Sequence, residues 1–376
     1  MDSQELHRIL KGKIRTISNV DNLDKYSLSL LYTPGVADVA QLCSKDPEST
    51  YSYTRRWNSI AIVSDGSAVL GLGNIGPYGA LPVMEGKALL FNLFAGLDAI
   101  PICLDTQNTD EIINIVKSLE PSFGGINLED IAAPRCFKIL EELNKIMDIP
   151  VFHDDQQGTA VVVTAGFLNA LKVLGKESKD VKVVVNGIGA AGYNITKFLI
   201  DFGVRDLILV DKNGILNENL PGSCLHEYHR ELAKITNLEN LSGDLSDALV
   251  NADVFIGVSK GDILTEEIIR KMKKNPIIFA LANPIPEINP IIAKSFGASI
   301  VATGRSDYPN QINNLIAFPG IMKGALEKRS KITKNMLHSA IIAIANSCIP
   351  TPERILPEAY DKKLHFNVYE AVKNAQ

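Results

Sequence analysis

The chain of 376 residues is poor in cysteine, with five residues in all, at positions 43, 103, 136, 224 and 348. Their number is odd, their spacing wide, and no C-x-x-C pair occurs, which excludes a disulfide framework and a thiolate zinc site. Buried free thiols in a reducing compartment are expected instead. An excess of positive charge is also lacking. Lys and Arg total 38 against 43 Asp and Glu, a net charge of -5, so neither a nucleic acid nor an anionic membrane is an expected partner. The N-terminus, MDSQELHRILKGKIRT, has no apolar core of the kind a secretory signal needs. The most apolar stretch, Ala88 to Leu104, is broken by Asn92, Asp98 and Pro101. It reads as helix then strand, not as a bilayer span. No repeats, low-complexity tracts or flexible linkers are found. A cytoplasmic location is expected by default.

What remains is an ordinary globular balance, 46% hydrophobic and 22% charged, with length for two domains or three. Four apolar runs in the first half each end in aspartate: Ser59–Asp65, Ala99–Asp105, Ser122–Asp130 and Ile149–Asp155. Helical spacing fills the gaps, over Gly79–Leu97, Asn108–Leu119 and Ala133–Met147. This alternation predicts a parallel sheet of βαβ units, whose strand ends gather the acids on one rim. A bland alternative is that the acids cap the following helices, which is favoured for Asp65 and Asp105. It does not explain the carboxylate pairs Glu129–Asp130 and Asp154–Asp155. After a connecting helix over 156–176, a second α/β unit is expected: strand Val181–Val185, helix Ala191–Phe202, strand Leu207–Asp211, then strands at Val254–Val258, Ile277–Leu281 and Ser299–Ala302. Residues from Ile321 to about Ser347 read as helix packing back on the first domain. Pro350, Pro352 and Pro357 then break it, leaving a surface arm. The fold class is α/β: an N-terminal parallel-sheet catalytic domain (1–156), a Rossmann-like doubly wound NAD(P)-binding domain (157–320), and C-terminal helices and arm (321–376).

Between the strand VKVVV and the following helix stands Gly187-Ile188-Gly189-Ala190-Ala191-Gly192, a G-x-G-x-x-G, with Asp211 ending the next strand. Gly187 permits the tight turn, Gly189 admits a pyrophosphate to the backbone, and Gly192 lets helix meet strand. The helix N-terminus offers free N–H groups to phosphate, and Asp211 can bind the adenosine ribose. In this context the pattern is a specific dinucleotide signal. Asp211 would repel a 2′-phosphate and favours NAD, although the adjacent Lys212 would suit NADP.

Glu129, Asp130 and one of Asp154 or Asp155 supply three hard oxygen ligands, suited to Mg²⁺ or Mn²⁺ with open positions for substrate. His153 reads as a packing or hydrogen-bonding residue. Lys87 opens a very apolar helix, where a desolvated amine near a cation should have a lowered pKa and could act as a base; a lysine snorkelling at a helix end is the alternative. Tyr32 sits on a Pro-Gly turn in Leu31–Val36. Asn283, with the amide run Asn310-Gln311-Ile312-Asn313-Asn314, could hold carboxylate or amide groups, although loop asparagines are usually turn residues.

The segments LYTPGV, SDGSAVLGLGNIGP, ALPVMEGKALL, INLEDI, FHDDQQGTA, NGIGAAG, ANPIPEI and TGRSDYPNQINNLIAFPG, in this order, resemble the malic enzymes, specifically their short bacterial and archaeal form. The resemblance covers about Leu31 to Leu326. It implies oxidative decarboxylation of L-malate to pyruvate and CO₂ with NAD or NADP and Mg²⁺ or Mn²⁺. It implies that Tyr32 is the general acid, Lys87 the general base, and Asp154 the acid orienting the lysine. Glu129, Asp130 and Asp155 would be the metal ligands, while Asn283 and Asn314 would face substrate and nicotinamide. A homodimer is implied, with Tyr32 beside an N-terminal arm from the neighbouring subunit. The chain departs from the family at Asn74, where many members carry Asp, and at Gln157, where many short members carry His. Ser67 and Ala68 stand where larger relatives place an arginine for the substrate carboxylate. The acyltransferase-like extension of some bacterial members is not found. Two other readings stay open at this point: an amino-acid dehydrogenase, which would leave the carboxylate pairs unexplained, and a dinucleotide sensor with an inactive site.

Overall fold

A computed structural model describes residues 2–69, 71–221 and 225–376. Two sheets organise the chain. The first holds β1 (Ser59–Ser64), β2 (Asp98–Cys103), β3 (Gly125–Leu128) and β4 (Val151–His153) in the order β2-β1-β3-β4, all parallel. The second holds β5 (Lys182–Asn186), β6 (Asp206–Asp211), β7 (Gly214–Ile215), β8 (Val254–Gly257), β9 (Ile277–Ala280) and β10 (Ile300–Thr303) in the order β10-β9-β8-β5-β6-β7. It is parallel except for the β6–β7 hairpin. The chain reverses direction across each sheet, between β1 and β3 in the first and between β5 and β8 in the second. Such switch points open crevices at the carboxyl ends of the strands.

The strands are near-continuous apolar runs because both sheet faces are covered. In the second sheet Val183 and Val185 enter one core while Val184 enters another, as the two-residue period of a strand requires. The first of these cores continues without a break into the first sheet, through Ile60, Ile62, Ile126 and Val151. The two sheets are thus close-coupled, as the lack of a linker foretold. The helix after β4, Thr159–Leu174, joins them and is buried along most of its length. With its preceding turn it is long and apolar enough to cross a membrane by composition, but here it serves as a core helix.

Three details differ from the sequence reading. The segment 321–347 is two helices, Phe318–Lys328 and Lys334–Asn346, because Arg329 takes a left-handed conformation, φ +51°, that ends the first. The first of them packs on the Gly76–Ala95 helix, with Phe91 and Phe318 ring to edge at 4.7 Å. The expected surface arm contains a further helix, Lys362–Lys373, that buries Leu364, Val368 and Val372. These apolar positions are spaced four residues apart, on one helical face, and they seat against Gly320 and Gly324, where a Cβ would come within 2.8 Å of Val368 and Val372. Finally, of the four described cysteines, all free, only Cys136 is buried; Cys43, Cys103 and Cys348 are partly exposed. Cys224 lies outside the described residues.

Gly324→Val should separate the two C-terminal helices and destabilise the protein by about 1–3 kcal/mol in urea unfolding, the usual range for overpacking. An unchanged midpoint would contradict the close approach.

Candidate active site

The rim at the carboxyl ends of β3 and β4 carries the acids. Glu129 and Asp130 follow β3 directly, and Asp154 and Asp155 follow β4. Asp130 has φ +54°, a left-handed conformation rare outside glycine, and its N–H donates to Asp155 Oδ2 at 2.8 Å. Residues Asp154–Gly158 form a wide π-turn before the core helix, a local irregularity common at functional positions. Its effect is to send neighbouring acids to different partners. Asp154 meets Lys87, with Oδ2 2.5 Å from Nζ, whereas Asp155 joins Glu129 and Asp130. One oxygen from each of these last three lies within 4.8 Å of the others.

Lys87 lies well inside the Gly76–Ala95 helix, not at its start, and is buried. It does not snorkel. Its ammonium pairs with Glu129 Oε1 at 2.8 Å as well as with Asp154, and stands 4.1 Å from the centre of the Phe318 ring. Burial works to lower its pKa, but Asp154 and Glu129 more than offset this, so the ammonium is held protonated. The expected depression of the lysine is therefore reversed, because two anions outweigh desolvation. Asn314 donates its amide to Asp154 Oδ2, and Asn127 donates to Glu129 Oε2 at 2.8 Å.

The carboxylates are all displaced toward the neutral form. Burial, then Asp155 and Glu129, push Asp130 up to about 9. Burial, then Asp154, push Asp155 up to about 6. Burial raises Glu129 also, against the opposing pull of Lys87. A dication relieves this kind of crowding, and three carboxylates with no thiolate or imidazole among them suit Mg²⁺ or Mn²⁺. The donor set therefore fits the metal. His153 does not join it. Buried, and pushed down to about 3 by desolvation and then Lys87, it is a neutral packing residue with no hydrogen-bond partner at either ring nitrogen among the described residues.

Asp65 is not a helix cap. It is buried and accepts Arg135 Nη1 at 2.9 Å and the Ser67 hydroxyl at 2.6 Å. Ser67 Oγ accepts in turn from the Ala132 N–H at 2.9 Å, tying the β1 loop to the loop bearing Glu129 and Asp130. The following helix, Thr109–Ser118, is capped by Asn108, leaving Asp105 exposed. No sequence motif singled out Arg135.

The dinucleotide signature opens a cavity of about 870 Å³ at the switch point between β5 and β8. Gly187, Ile188, Gly189 and Asp211 line it, together with Ser259 and Lys260 after β8. Gly187 has φ +107°, and a Cβ there would meet Val258 O at 2.7 Å. At Gly192 it would meet Gly187 O at 1.8 Å, whereas at Gly189 it would meet nothing within 4 Å. The first and last glycines are thus needed by the fold, and the middle one leaves room for a ligand. Ala190, Ala191 and Gly192 form the first turn of the Ala190–Asp201 helix. Asp211 is oriented by the Asn213 N–H, 2.7 Å from Oδ1. His226 and His229 also line the cavity, as do Ala133 and Pro134 from the acid loop. Neither histidine belongs to a pattern legible in sequence; Ser259 and Lys260 were legible as residues following a strand.

Asn283 follows β9, its amide donating to Leu281 O at 3.3 Å. Asn313 caps the short turn carrying Asn314. Tyr32 is not brought to this cluster. Its side chain is 67% exposed, and its hydroxyl has no hydrogen-bond partner among the described residues.

The sequence comparisons agree with this geometry. The family model "Malic enzyme, N-terminal domain" matches residues 11–144, and "Malic enzyme, NAD binding domain" matches residues 156–363. The chain belongs to the malic enzyme family. It is 53% identical over 369 residues to the NAD-dependent malic enzyme of Geobacillus stearothermophilus, covering 97% of this chain and 76% of that one. It is 50% identical to the bifunctional malic/malolactic enzyme of Bacillus subtilis, covering 100% and 92% respectively. The crystal structure of the NAD-dependent malic enzyme from Thermotoga maritima superposes with a TM-score of 0.98 at 69% identity, over 100% of both chains. The amino-acid dehydrogenase reading is thereby set aside.

Two outcomes follow from the site. A carboxylate whose pKa is raised by folding destabilises the fold when charged, so without a cation the protein should lose stability as pH rises from the ordinary carboxylate value of 3.8, through Asp155 at about 6, to Asp130 at about 9. Mn²⁺ should therefore raise Tm more at pH ~8.5 than at pH ~6; equal increments in a calorimetric scan would contradict the cluster. Gly189→Ala should fold like the wild type yet lose NAD binding by fluorescence titration, whereas Gly192→Ala should lower Tm.

Proposed function

We propose that the chain catalyses oxidative decarboxylation of L-malate to pyruvate and CO₂ with reduction of a nicotinamide dinucleotide, preferentially NAD, and that Glu129, Asp130 and Asp155 hold Mg²⁺ or Mn²⁺. The observation that carries this reading is the convergence of those three carboxylates beside the Lys87–Asp154 pair, on the strand-end rim of a chain that also carries the dinucleotide cavity. When bound, the cation would supply a Lewis acid for the substrate oxygens.

The protein's own residues account for the proton movements. Lys87 Nζ takes the proton of the malate C2 hydroxyl as hydride leaves C2 for the nicotinamide. Glu129 cannot serve fully both as a metal ligand and as the lysine's counter-charge. Its commitment as a ligand leaves Asp154 as the partner of Lys87 and makes Nζ a readier base. Asn314, bonded to Asp154, fixes that carboxylate, and Asn283 and Asn313 orient substrate and nicotinamide. Tyr32 protonates C3 after the C4 carboxylate has left, with Lys87 restoring its proton. The negative charge of Asp211 at the end of β6 supports NAD over NADP. We divide the chain into 1–156, 157–320 and 321–376.

Tyr32 acts, in this reading, on a neighbouring copy. Residues 2–50 contain no buried side chain, yet they carry Leu6, Ile9, Leu10, Leu23, Tyr26 and Leu31, all more than 40% exposed. So much unpartnered apolar surface in one segment supports a homodimer in which each N-terminal segment covers the other subunit. Free thiols at the four described cysteines support a reducing, cytoplasmic compartment.

With malate, Mn²⁺ and NAD, absorbance at 340 nm should rise; no reduction with either NAD or NADP would overturn the activity. Lys87→Ala and Tyr32→Phe should each lose roughly 10²–10⁴ in turnover while binding NAD normally, and mixing the two inactive variants should recover activity. Near-normal turnover in both would refute the proton-transfer roles, and failure of the mixture to recover would refute action in trans. Asp155→Ala should abolish Mn²⁺ binding in a titration, and unchanged affinity would remove it from the ligand set.

A further inference from the structure

The loops after β8 and β9 form two arms at the edge of the dinucleotide crevice. The β8 arm gives Ser259, Lys260 and Ile263 to the cavity wall, and the β9 arm carries Asn283. Between them stands Glu287, fully buried. Its carboxylate has no cationic partner among the described residues. Instead Oε2 accepts the Ala282 N–H at 2.9 Å and Oε1 accepts the Ser259 N–H at 3.3 Å. The backbone of Glu287 is already bound to the first arm, since its carbonyl accepts the N–H groups of Ile263 and Leu264, both at 3.0 Å. The side chain carries that attachment across to the second arm. Gly257, the last residue of β8, leaves space for it: a Cβ there would lie 2.3 Å from Oε1.

The residue type is demanded by the chemistry. Both partners are N–H donors, so the side chain must offer two acceptors. A carboxylate does; an amide of the same shape offers one, and turns an NH₂ toward the other donor. Keeping an unpaired carboxylate in the interior is costly, and burial pushes this one up to about 7 against the pull of its backbone donors. Asn283, next to Ala282, has its side chain constrained on two sides already. Its amide donates to Leu281 O and packs so tightly on Gly304 that a Cβ there would lie 2.6 Å from Nδ2. The peptide at Ala282 is what remains to be fixed.

We propose that Glu287 is a positioning residue for the oxidoreduction, tying the Ser259 wall of the dinucleotide cavity to the Asn283 turn and so setting where Asn283 stands relative to the bound dinucleotide. This rests on the reading that Asn283 faces substrate and nicotinamide.

The test is a double-mutant cycle on the full-length enzyme with Mn²⁺, using Glu287→Gln, Asn283→Ala and the double variant. Glu287→Gln should lower kcat by about 10- to 100-fold, the scale of a misplaced contact, with Mn²⁺ affinity unchanged. The double variant should be no slower than Asn283→Ala alone, because both losses pass through one side chain. Should Glu287→Gln not fold, Gly257→Ala, which displaces the carboxylate without changing it, should show the same loss and the same non-additivity. A normal kcat for Asn283→Ala would overturn the reading of Asn283 and this inference with it. A slow Asn283→Ala beside a normal Glu287→Gln, or losses that simply multiply in the double variant, would overturn the inference alone.

Discussion

One crowded charge balance governs the site: four acids and a lysine share one rim, where Lys87, Glu129, Asp130 and Asp154 are buried and Asp155 keeps 32% of its side chain exposed. Lys87 neutralises part of the charge, and it does so at Asp154 and Glu129. Asp130 and Asp155 are left beside each other with no Lys or Arg ion pair among the described residues, and both are pushed toward the neutral form against the pull of Lys87. An interior arranged in this way is expensive for a metal-free chain. The cost is sustained by geometry that the fold fixes in advance, namely the left-handed Asp130, the π-turn at Asp154–Gly158 and the Asp65–Arg135–Ser67 bracket. These features hold the carboxylate oxygens of the proposed cation site in place in advance, as preorganised sites do.

Two parallel sheets make the arrangement possible. Each reverses its winding once and so opens a crevice, one lined by acids and one by glycines. The unbroken core holds the crevices in a fixed relation, and the acid loop itself reaches the dinucleotide cavity through Ala133 and Pro134. The Phe318–Lys328 helix links the same parts, placing the Phe318 ring under the Lys87 ammonium while Asn314, just before it, binds Asp154. Lys87, its counter-ion Asp154 and the amide of Asn314 are thus anchored to one continuous body.

Much of this was legible in the residues. Apolar runs ending in aspartate located β1 to β4, and the glycine pattern after VKVVV located the cofactor turn. That the acids at 129 and 130 would converge with one of the pair at 154 and 155 follows because strand ends in a parallel sheet share a rim, whereas the choice of 155 rested on the family resemblance. The protonation state of Lys87 was not legible. The apolar helix around it left burial and snorkelling both open and gave no sign that two carboxylates would meet its ammonium, a contact that reverses the sign of its shift. Arg135, His229 and Glu287 escaped for a related reason, since each bonds to a partner distant in sequence, Asp65, Ile188 and Ser259 respectively, and His226 sits in no motif that names its role. The C-terminal helix was obscured by three prolines upstream, although Leu364, Val368 and Val372 carried its period. Tyr32 shows the opposite limit, since its motif is plain while a single chain leaves it in solvent.

The most direct test of the central claim is anomalous diffraction from crystals of the full-length protein soaked in Mn²⁺. The account predicts one strong peak about 2.1 Å from oxygens of Glu129, Asp130 and Asp155, the distance expected for a small octahedral dication, with Lys87 still bonded to Asp154. A peak elsewhere, or none at saturating Mn²⁺ with these carboxylates turned away from one another, would contradict it.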